Sequence, residues 1–199
     1  NIYKIYNDRL FKSGAMDFDD LLFNMNVLLR DFPEVLHKYQ DRFRYILVDE
    51  YQDTNFSQYV IVKALADRFQ NISVVGDDAQ SIYAFRGASI QNILNFKRDY
   101  TDAKTFKLEQ NYRSTKHIVE AANSLIKNNQ DQIKKKVWTS NDEGGKITVM
   151  GAMSDSEEAL GIAHSIFHKK NTHQLQNSEF AILYRTNAQS RGLEDALRK

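Results

Sequence analysis

The sequence of 199 residues lacks cysteine and contains a single proline. The absence of cysteine excludes disulfides and thiolate metal sites, and it fits a reducing cytoplasm as the expected location. One proline and eight glycines argue against a disordered or low-complexity chain. No apolar run approaches the ~20 residues of a membrane span, so we expect no membrane partner. The net charge of +1 indicates no nucleic-acid partner by itself, and any nucleic-acid site has to be local.

Strand-like and helix-like patterns alternate along the chain, which predicts an α/β fold with mostly parallel sheets flanked by helices. Strands are predicted at 44–49, 72–75, 105–108, 146–151 and 179–184. Helices are predicted at 2–12, 17–31, 56–69, 90–96, 115–128 and 154–169, with others opening at Pro33 and Ser190. Asp17 is the predicted N-cap of the second helix. Both ends of the sequence lie inside helical patterns, so we expect a part of a longer protein.

The apolar run from Tyr45 to Val48 ends abruptly in Asp49 and Glu50. Such a run is typical of a strand buried on both faces, and open α/β sheets bind ligands at the carboxyl ends of their strands. One carboxylate there can hold the Mg²⁺ of a nucleotide, and its neighbour can activate the water that attacks a phosphoryl group. The alternative is a strand that simply ends in surface carboxylates.

The second predicted strand is followed by Gly76, Asp77 and Asp78, and then by the string AQSIYAFRGA. Gln80 can hydrogen-bond a γ-phosphate or the attacking water without adding charge. Tyr83, Phe85 and Arg86 combine aromatic faces with a guanidinium, which is the chemistry of single-strand binding. The alternative places both rings in the core and pairs Arg86 with an acidic neighbour.

The third string, LEQNYRST, joins a predicted strand to a helix capped by Ser114 or Thr115. Tyr112 can stack on an adenine, and Arg113 can reach a γ-phosphate as an arginine finger does. Taken alone, this string favours the alternative, a Tyr–Arg pair packed at a helix start.

Five strings in this order resemble the superfamily 1 DNA helicases of the UvrD/Rep type. They are DFDDLL at 17–22, VDEYQDTN at 48–55, VVGDDAQSIYAFRGA at 74–88, LEQNYRST at 108–115 and LYRTNAQSR at 183–191. The resemblance implies parts of two RecA-like P-loop domains with ATP between them. It also implies a division into 1–15, the tail of an inserted helical subdomain, 16–105, the later part of the first motor domain, and 106–199, the beginning of the second.

The resemblance assigns roles to individual residues. Asp49 would coordinate Mg²⁺, with Glu50 activating the hydrolytic water and also available to the metal. Gln80 would sense the γ-phosphate of ATP and link it to the DNA site. Tyr112 would stack on the adenine, and Arg113 would contact the γ-phosphate. The residues expected to contact single-stranded DNA are Tyr83, Phe85, Arg86, Arg185 and Asn187.

The chain departs from the family pattern in three respects, one of which is that the later, C-terminal family motifs with further arginines for the phosphates are missing. It has no G-x-x-x-x-G-K-[ST] phosphate-binding loop, so we expect the 199 residues alone to be inactive. Phe85 also replaces the more common tryptophan. The function implied is that of a fragment of an ATP-dependent helicase that moves on single-stranded DNA and unwinds duplex at junctions. The alternatives are a non-catalytic helicase-like scaffold and the helicase module of a helicase-nuclease.

The basic run Lys134-Lys135-Lys136 lies in a polar stretch between residues 128 and 145. A solvated loop is the expectation for such a run, and contact with a phosphate is the alternative.

Overall fold

The computed structural model describes residues 2–130 and 132–198. Its contacts divide the chain into two compact units, with the boundary between Gly144 and Gly145. The first unit contains α1 (Ile2–Lys12), α2 (Phe18–Asp31), α3 (Pro33–Arg42), β1 (Ile46–Val48), α4 (Phe56–Ala66), β2 (Ile72–Val74), α5 (Gln91–Leu94), α6 (Phe96–Asp99) and α7 (Lys116–Ile126). The second contains α8 (Asp155–His173) and α9 (Ser190–Arg198).

Helix α2 begins at the predicted N-cap. The Asp17 carboxylate accepts the N–H of Asp20 at 2.8 Å, and the Asp20 carboxylate accepts the N–H of Asp17 at 3.2 Å. This reciprocal capping box satisfies two backbone donors that have no partner inside the helix. The confirmed start explains Asp17 and Asp20 of the DFDDLL string as capping groups.

The sheet of the first unit consists of the parallel pair β1 and β2, in the register Ile46 to Ile72 and Val48 to Val74. The prediction that β1 is buried on both faces is wrong, because Leu47 remains 79% exposed. Side chains alternate between the two faces of a strand, and only the face of Ile46 and Val48 is covered in part. An apolar run shows which side chains a strand could bury. Whether these side chains are buried depends on how many layers pack against the sheet.

Polar side chains anchor the segment after β1 to the surrounding helices. The buried Asn92 amide of α5 donates to the Thr54 carbonyl at 3.0 Å and to the Thr54 hydroxyl at 3.1 Å. Tyr51 is also buried, with its ring edge-on to Phe96 at 5.8 Å between centroids. Burial raises the pKa of Tyr51 to about 12, so its hydroxyl stays neutral. These contacts hold the carboxyl end of β1 in a defined position.

The helix predicted at 90–96 is instead two short helices, α5 and α6, which meet at Asn95. The Asn95 N–H bonds to the carbonyls of Gln91 and Ile93, and the next helix starts directly after it. A local pattern of apolar residues cannot distinguish one continuous helix from two short ones in series.

Three predicted strands, at 105–108, 146–151 and 179–184, do not form within the described residues. Phe106 and Leu108 are largely exposed, and only a single bridge between Gln110 and Trp138 follows them. A strand requires a neighbour for its backbone N–H and C=O groups, and alternation of side chains says nothing about that neighbour. These predictions are therefore wrong for this chain.

In the second unit, α8 starts at Ser154, whose hydroxyl accepts the Glu157 N–H at 3.2 Å. The helix continues past its predicted end at residue 169 to His173, where Gln174 adopts a left-handed conformation with φ of 54°. Helix α9 packs on α8, and Ala159 is buried. None of the described helices is both long enough and apolar enough to cross a membrane.

Candidate functional site

Asp49 and Glu50 lie directly beyond the carboxyl end of β1, as predicted, and both are exposed. Glu50 has φ of 49° and ψ of 42°, the left-handed region that non-glycine residues seldom adopt. Such strained residues cluster at functional sites, where the surrounding structure holds them. Asp49 Oδ1 accepts the Glu50 N–H at 2.9 Å, which leaves Asp49 Oδ2 for another ligand.

Gln52, only 1% exposed, connects the ends of the two strands. Its Nε2 donates to Glu50 Oε2 at 2.8 Å, and its Oε1 accepts the N–H of Asp77 at 3.0 Å. One buried amide therefore orients the candidate catalytic carboxylate and the start of the loop after β2. Sequence reasoning passed over Gln52, and the only signal for it was its polar side chain two residues beyond Glu50.

Gly76 makes this close approach of the strand ends feasible. A Cβ at this position would lie 2.5 Å from Gln52 Oε1, 2.9 Å from Ile93 Cδ1 and 3.2 Å from the Tyr51 nitrogen. A side chain at this position would force Gln52 and Ile93 to shift and would press on the Tyr51 backbone. The glycine is needed for space, since its φ is not in the left-handed region.

Gln80 lies in the short 3₁₀ turn Asp78–Gln80, and its Nε2 donates to Asp77 Oδ2 at 2.8 Å. Asp77 also accepts the Ala79 N–H at 3.1 Å, which caps the turn. Burial opposes ionisation of Asp77, but the hydrogen bonds from Lys135 and Gln80 outweigh it and lower the pKa of this carboxyl below its ordinary 3.8. Asp77 is therefore a charged acceptor that fixes the direction of the Gln80 side chain.

Lys135 is not a solvated side chain, contrary to the expectation for its basic run. Its Nζ donates to Asp77 Oδ1 and, at 2.8 Å, to the buried Asp78. Burial would lower the pKa of Lys135, yet its bonds to the two carboxylates raise it above the ordinary 10.5. Lys134 and Lys136 are exposed, so the solvated-loop prediction holds for the neighbours alone.

The aromatic pair Tyr83 and Phe85 forms a platform on the surface of the first unit. Their ring centroids are 6.0 Å apart, and the Arg86 guanidinium carbon lies 5.3 Å from the Tyr83 centroid and 5.5 Å from the Phe85 centroid. Phe85 is 75% exposed, which contradicts the alternative that placed the rings in the core. An exposed aromatic surface beside a cation suits the stacking of unpaired bases and contact with their phosphates.

Tyr112 and Arg113 lie in a turn before α7, and both are exposed. Asn111 Oδ1 accepts the N–H of Arg113 at 3.0 Å and of Ser114 at 2.7 Å. Tyr112 donates its hydroxyl to Gln110 Oε1 at 2.9 Å, leaving the face of the ring open. The turn presents both side chains outward, against the alternative of a packed Tyr–Arg pair.

The cap of α7 differs from the one expected. Thr115 occupies the N-cap position, but its side chain makes no capping hydrogen bond. Instead, the Lys116 N–H donates to the Asp142 carbonyl at 3.1 Å, and the His117 N–H donates to the Glu143 carbonyl at 3.3 Å. A distant segment therefore satisfies the donors that a side-chain cap would have taken.

Arg185 and Asn187 belong to the second unit, at a turn before α9. The side-chain oxygen of Gln189 accepts the N–H of Arg185 at 2.9 Å and of Thr186 at 3.0 Å. The turn is thus closed by its own residues, and the side chains of Arg185 and Asn187 are exposed.

Two family models match the chain in succession. The UvrD/REP helicase N-terminal domain matches residues 1–101, and the UvrD-like helicase C-terminal domain matches residues 106–199. This chain belongs to the UvrD/REP helicase family. Family membership confirms the resemblance carried by the five strings, and with it an α/β fold built from parts of RecA-like helicase domains.

Curated members of the family match the whole chain. It is 48% identical over 198 residues to the ATP-dependent DNA helicase PcrA of Leuconostoc citreum, and 51% identical over 199 residues to that of Bacillus subtilis. The PcrA of Staphylococcus aureus is likewise 51% identical over 199 residues. The chain spans 26% to 27% of the length of these relatives.

The donor set at the end of β1 suits Mg²⁺. This ion is usually held by one or two carboxylates while it keeps several waters and binds substrate phosphates. Asp49 and Glu50 offer two exposed carboxylates, and no cage of three or more acidic, histidine or cysteine side chains occurs among residues 2–130 and 132–198. An all-protein metal cage is not what a magnesium–nucleotide complex requires.

The structure brings Asp49, Glu50 and Gln80 to neighbouring strand ends. The aromatic platform of Tyr83 and Phe85 begins three residues after Gln80 in the chain. In contrast, no hydrogen bond or ion pair found in the described parts of the chain joins Arg113 to Glu50 or Gln80. The roles of Tyr112, Arg113, Arg185 and Asn187 stay predictions.

Proposed function

We propose that this chain is part of an ATP-dependent DNA helicase, which couples ATP hydrolysis to movement along single-stranded DNA and to unwinding of duplex at junctions. The observation that carries the proposal is the hydrogen-bonded path from Glu50 through Gln52 to Asp77 and Gln80. Three residues beyond Gln80, the exposed platform begins at Tyr83. The groups proposed for ATP hydrolysis and those proposed for DNA binding therefore lie in one short connected region.

Within this proposal Asp49 would hold Mg²⁺ through Oδ2, the oxygen that the Glu50 N–H does not contact, and the bound ion would supply positive charge to the transferred phosphoryl group. Glu50 accepts a proton from the attacking water. Its carboxylate is held by Gln52, so it does not have to be ordered during the reaction. Gln80 contacts the γ-phosphate with an amide, which adds a polar contact without a charge.

Tyr112 stacks on the adenine of ATP, and Arg113 stabilises charge on the γ-phosphate. The turn held by Asn111 keeps both side chains directed outward, as either role requires. Tyr83, Phe85 and Arg86 stack on bases and neutralise a phosphate of the single strand, and Arg185 and Asn187 are further contacts to DNA. The division of the chain that we propose is the one implied by the family resemblance, 1–15, 16–105 and 106–199, and it differs from the division into compact units between Gly144 and Gly145.

The test is ATP hydrolysis by the full-length protein that contains this chain, measured with and without single-stranded DNA. We expect DNA to stimulate hydrolysis, and Glu50→Gln to lower kcat by about 10²- to 10⁴-fold, the range for loss of a general base. Glu120→Gln removes an exposed carboxylate of α7 and serves as the matched control. Absence of hydrolysis in the unmodified protein would favour the non-catalytic scaffold instead.

A further inference from the structure

Asp78 is a buried carboxylate whose two oxygens are both bound by one distant segment. Its side chain is 2% exposed. Oδ1 accepts Lys135 Nζ at 2.8 Å, and Oδ2 accepts the Ile133 N–H at 2.7 Å. The partners are 57 and 55 residues away in sequence. A buried charge of this kind is tolerated only where it is paired and hydrogen-bonded, so the segment 133–135 is what allows Asp78 to be buried.

The segment is itself held in place by a third part of the chain. Lys107 Nζ donates to the Lys134 carbonyl at 2.6 Å, and the Lys136 N–H donates to Glu109 Oε1 at 3.1 Å. The side chains of Lys134 and Lys136 are exposed to solvent, while Lys135 is turned inward. The backbone of this segment therefore directs Lys135, and neither of the adjacent lysines, toward Asp77 and Asp78.

Lys135 and Gln80 share a single carboxylate. Asp77 Oδ1 accepts Lys135 Nζ, and Asp77 Oδ2 accepts Gln80 Nε2 at 2.8 Å. A shift of Lys135 would therefore move the group that fixes the Gln80 amide. Lys135 lies in the stretch matched by the C-terminal family model, whereas Asp77, Asp78 and Gln80 lie in the stretch matched by the N-terminal one.

We propose that Lys135 is a positioning residue that orients the Gln80 amide through the shared Asp77 carboxylate and anchors the 77–80 loop through Asp78. The inference rests on the proposed function, in which Gln80 contacts the γ-phosphate. Lys135 touches neither nucleotide nor DNA in this assignment. It makes the geometry of Gln80 depend on where the segment 133–135 lies, so a displacement of that segment is transmitted to the phosphate contact.

The chemistry requires a cation at this position. Methionine has a similar length and apolar stem but leaves the Asp78 charge without its cationic partner, and a buried charge without a partner is strongly unfavourable. The loop then has to open so that water reaches Asp78. Arginine keeps the charge and can bond two carboxylate oxygens at once, so it is the conservative replacement.

The experiment compares Lys135→Met, Lys135→Arg and the controls Lys134→Met and Lys136→Met in the full-length protein. We expect Lys135→Met to lower the DNA-stimulated kcat by about tenfold, since misplaced positioning groups cost this much or more, while KM for ATP changes less than about threefold. Lys135→Arg should recover most of the loss, and the two controls should match the unmodified protein.

Hydrogen exchange of the amides in residues 77–82 is measured in parallel, because it does not depend on catalysis. Faster exchange in Lys135→Met alone, together with the loss of kcat, supports the proposal. Faster exchange with unchanged kcat makes Lys135 purely structural and overturns it. Unchanged exchange also overturns it, whatever the ATPase activity of the protein proves to be. A protein without any ATPase would instead contradict the proposed function, while exchange would still measure the anchoring of the loop.

If Lys135→Met does not fold, the double variant Lys135→Met/Asp78→Asn removes the buried charge together with its partner. The side-chain carbonyl oxygen of the introduced asparagine can still accept the Ile133 N–H, so the loop has no charge to hydrate. Asp77 nevertheless loses its hydrogen bond from Lys135, so we expect kcat to remain about tenfold below that of the unmodified protein. Full activity in this double variant overturns the proposal.

Discussion

Gln52 Nε2 donates a hydrogen bond of 2.8 Å to Glu50 Oε2 from a fully buried position. The same amide accepts the N–H of Asp77, 25 residues away in sequence. The proposed general base and the loop that carries Gln80 are thus held by one side chain. Glu50 adopts a left-handed backbone conformation at this point, and its environment rather than its own preference stabilises it.

Replacing Gln52 with leucine is expected to weaken both the fold and the site. The partly buried Asp77 N–H would lose its acceptor, and since a fully buried donor without a partner costs about 1–3 kcal/mol, the loss of unfolding free energy should lie at the lower end of that range. The kcat of the full-length protein should also fall, because Glu50 loses the donor that orients it. Urea unfolding of the 199-residue chain and the ATPase assay measure the two effects.

Gln91→Leu is the control for this substitution, since Gln91 lies exposed on α5. Equal destabilisation by the two changes would contradict the role given to the Gln52 amide.

Gly76→Ala is expected to lower the unfolding free energy by about 1–3 kcal/mol, the usual cost of introducing an atom where neighbouring atoms have to shift. The added Cβ would lie 2.5 Å from Gln52 Oε1 and 2.9 Å from Ile93 Cδ1. Because Gln52 would have to move, ATPase activity should fall with stability. Chemical denaturation compared with the activity assay checks this result.

Gly161→Ala is a control for which we expect the unfolding free energy to rise rather than fall. Gly161 lies inside α8, and a Cβ added there would have no neighbouring atom within 4 Å. Alanine is favoured over glycine in helices by about 0.5–1 kcal/mol, so this change should stabilise the second unit. Destabilisation by both substitutions would show that space at Gly76 is not the deciding factor.

The ion pair between Lys135 and Asp77 predicts loss of stability at both ends of the pH scale. The pKa of Asp77 is below its ordinary 3.8, so its contribution is complete above that value and is lost as pH falls through the folded-state pKa. The pKa of Lys135 is above its ordinary 10.5, so its contribution is complete below that value and is lost as pH rises through the folded-state pKa.

Unfolding of the chain measured across pH, beside Asp77→Asn, checks the acid side of this prediction. The variant should show a smaller decrease of stability below pH 3.8 than the unmodified chain does. If the two proteins lose the same amount of stability as the pH falls, other carboxylates dominate acid unfolding.

Phe85→Ala is expected to weaken binding of single-stranded DNA. Loss of one stacking ring costs roughly 1–3 kcal/mol, or about 5- to 150-fold in Kd. The measurement is fluorescence anisotropy of a labelled oligonucleotide with the full-length protein at fixed salt, because the affinity depends on ionic strength.

Phe18→Ala is the matched control, as Phe18 is also an exposed ring but lies at the start of α2. A similar loss of affinity in both variants would argue against a specific platform at Tyr83 and Phe85. Phe85→Trp should bind at least as tightly as the unmodified protein, since the larger ring offers more stacking area.

Sequence patterns predicted the elements whose stabilising contacts are local. The Asp17 capping box joins residues three positions apart, and α1, α2 and α7 begin and end close to their predicted limits. The strands at 105–108 and 179–184 were predicted by the same kind of pattern and do not form. Their alternation shows which side chains could be buried, but strand formation depends on a partner that no local pattern contains.

The five strings, and the carboxylates placed beyond the end of β1, were readable from the chain alone, because both are properties of consecutive residues. What only the tertiary structure decided is which distant groups complete the site. Gln52 reaches Asp77 across 25 residues, and Lys135 reaches Asp78 across 57. Three adjacent lysines are chemically equivalent as sequence, and only the folded backbone turns Lys135 toward the buried carboxylate. The physical reason is that pairing energies depend on distance and burial, which the order of residues does not specify.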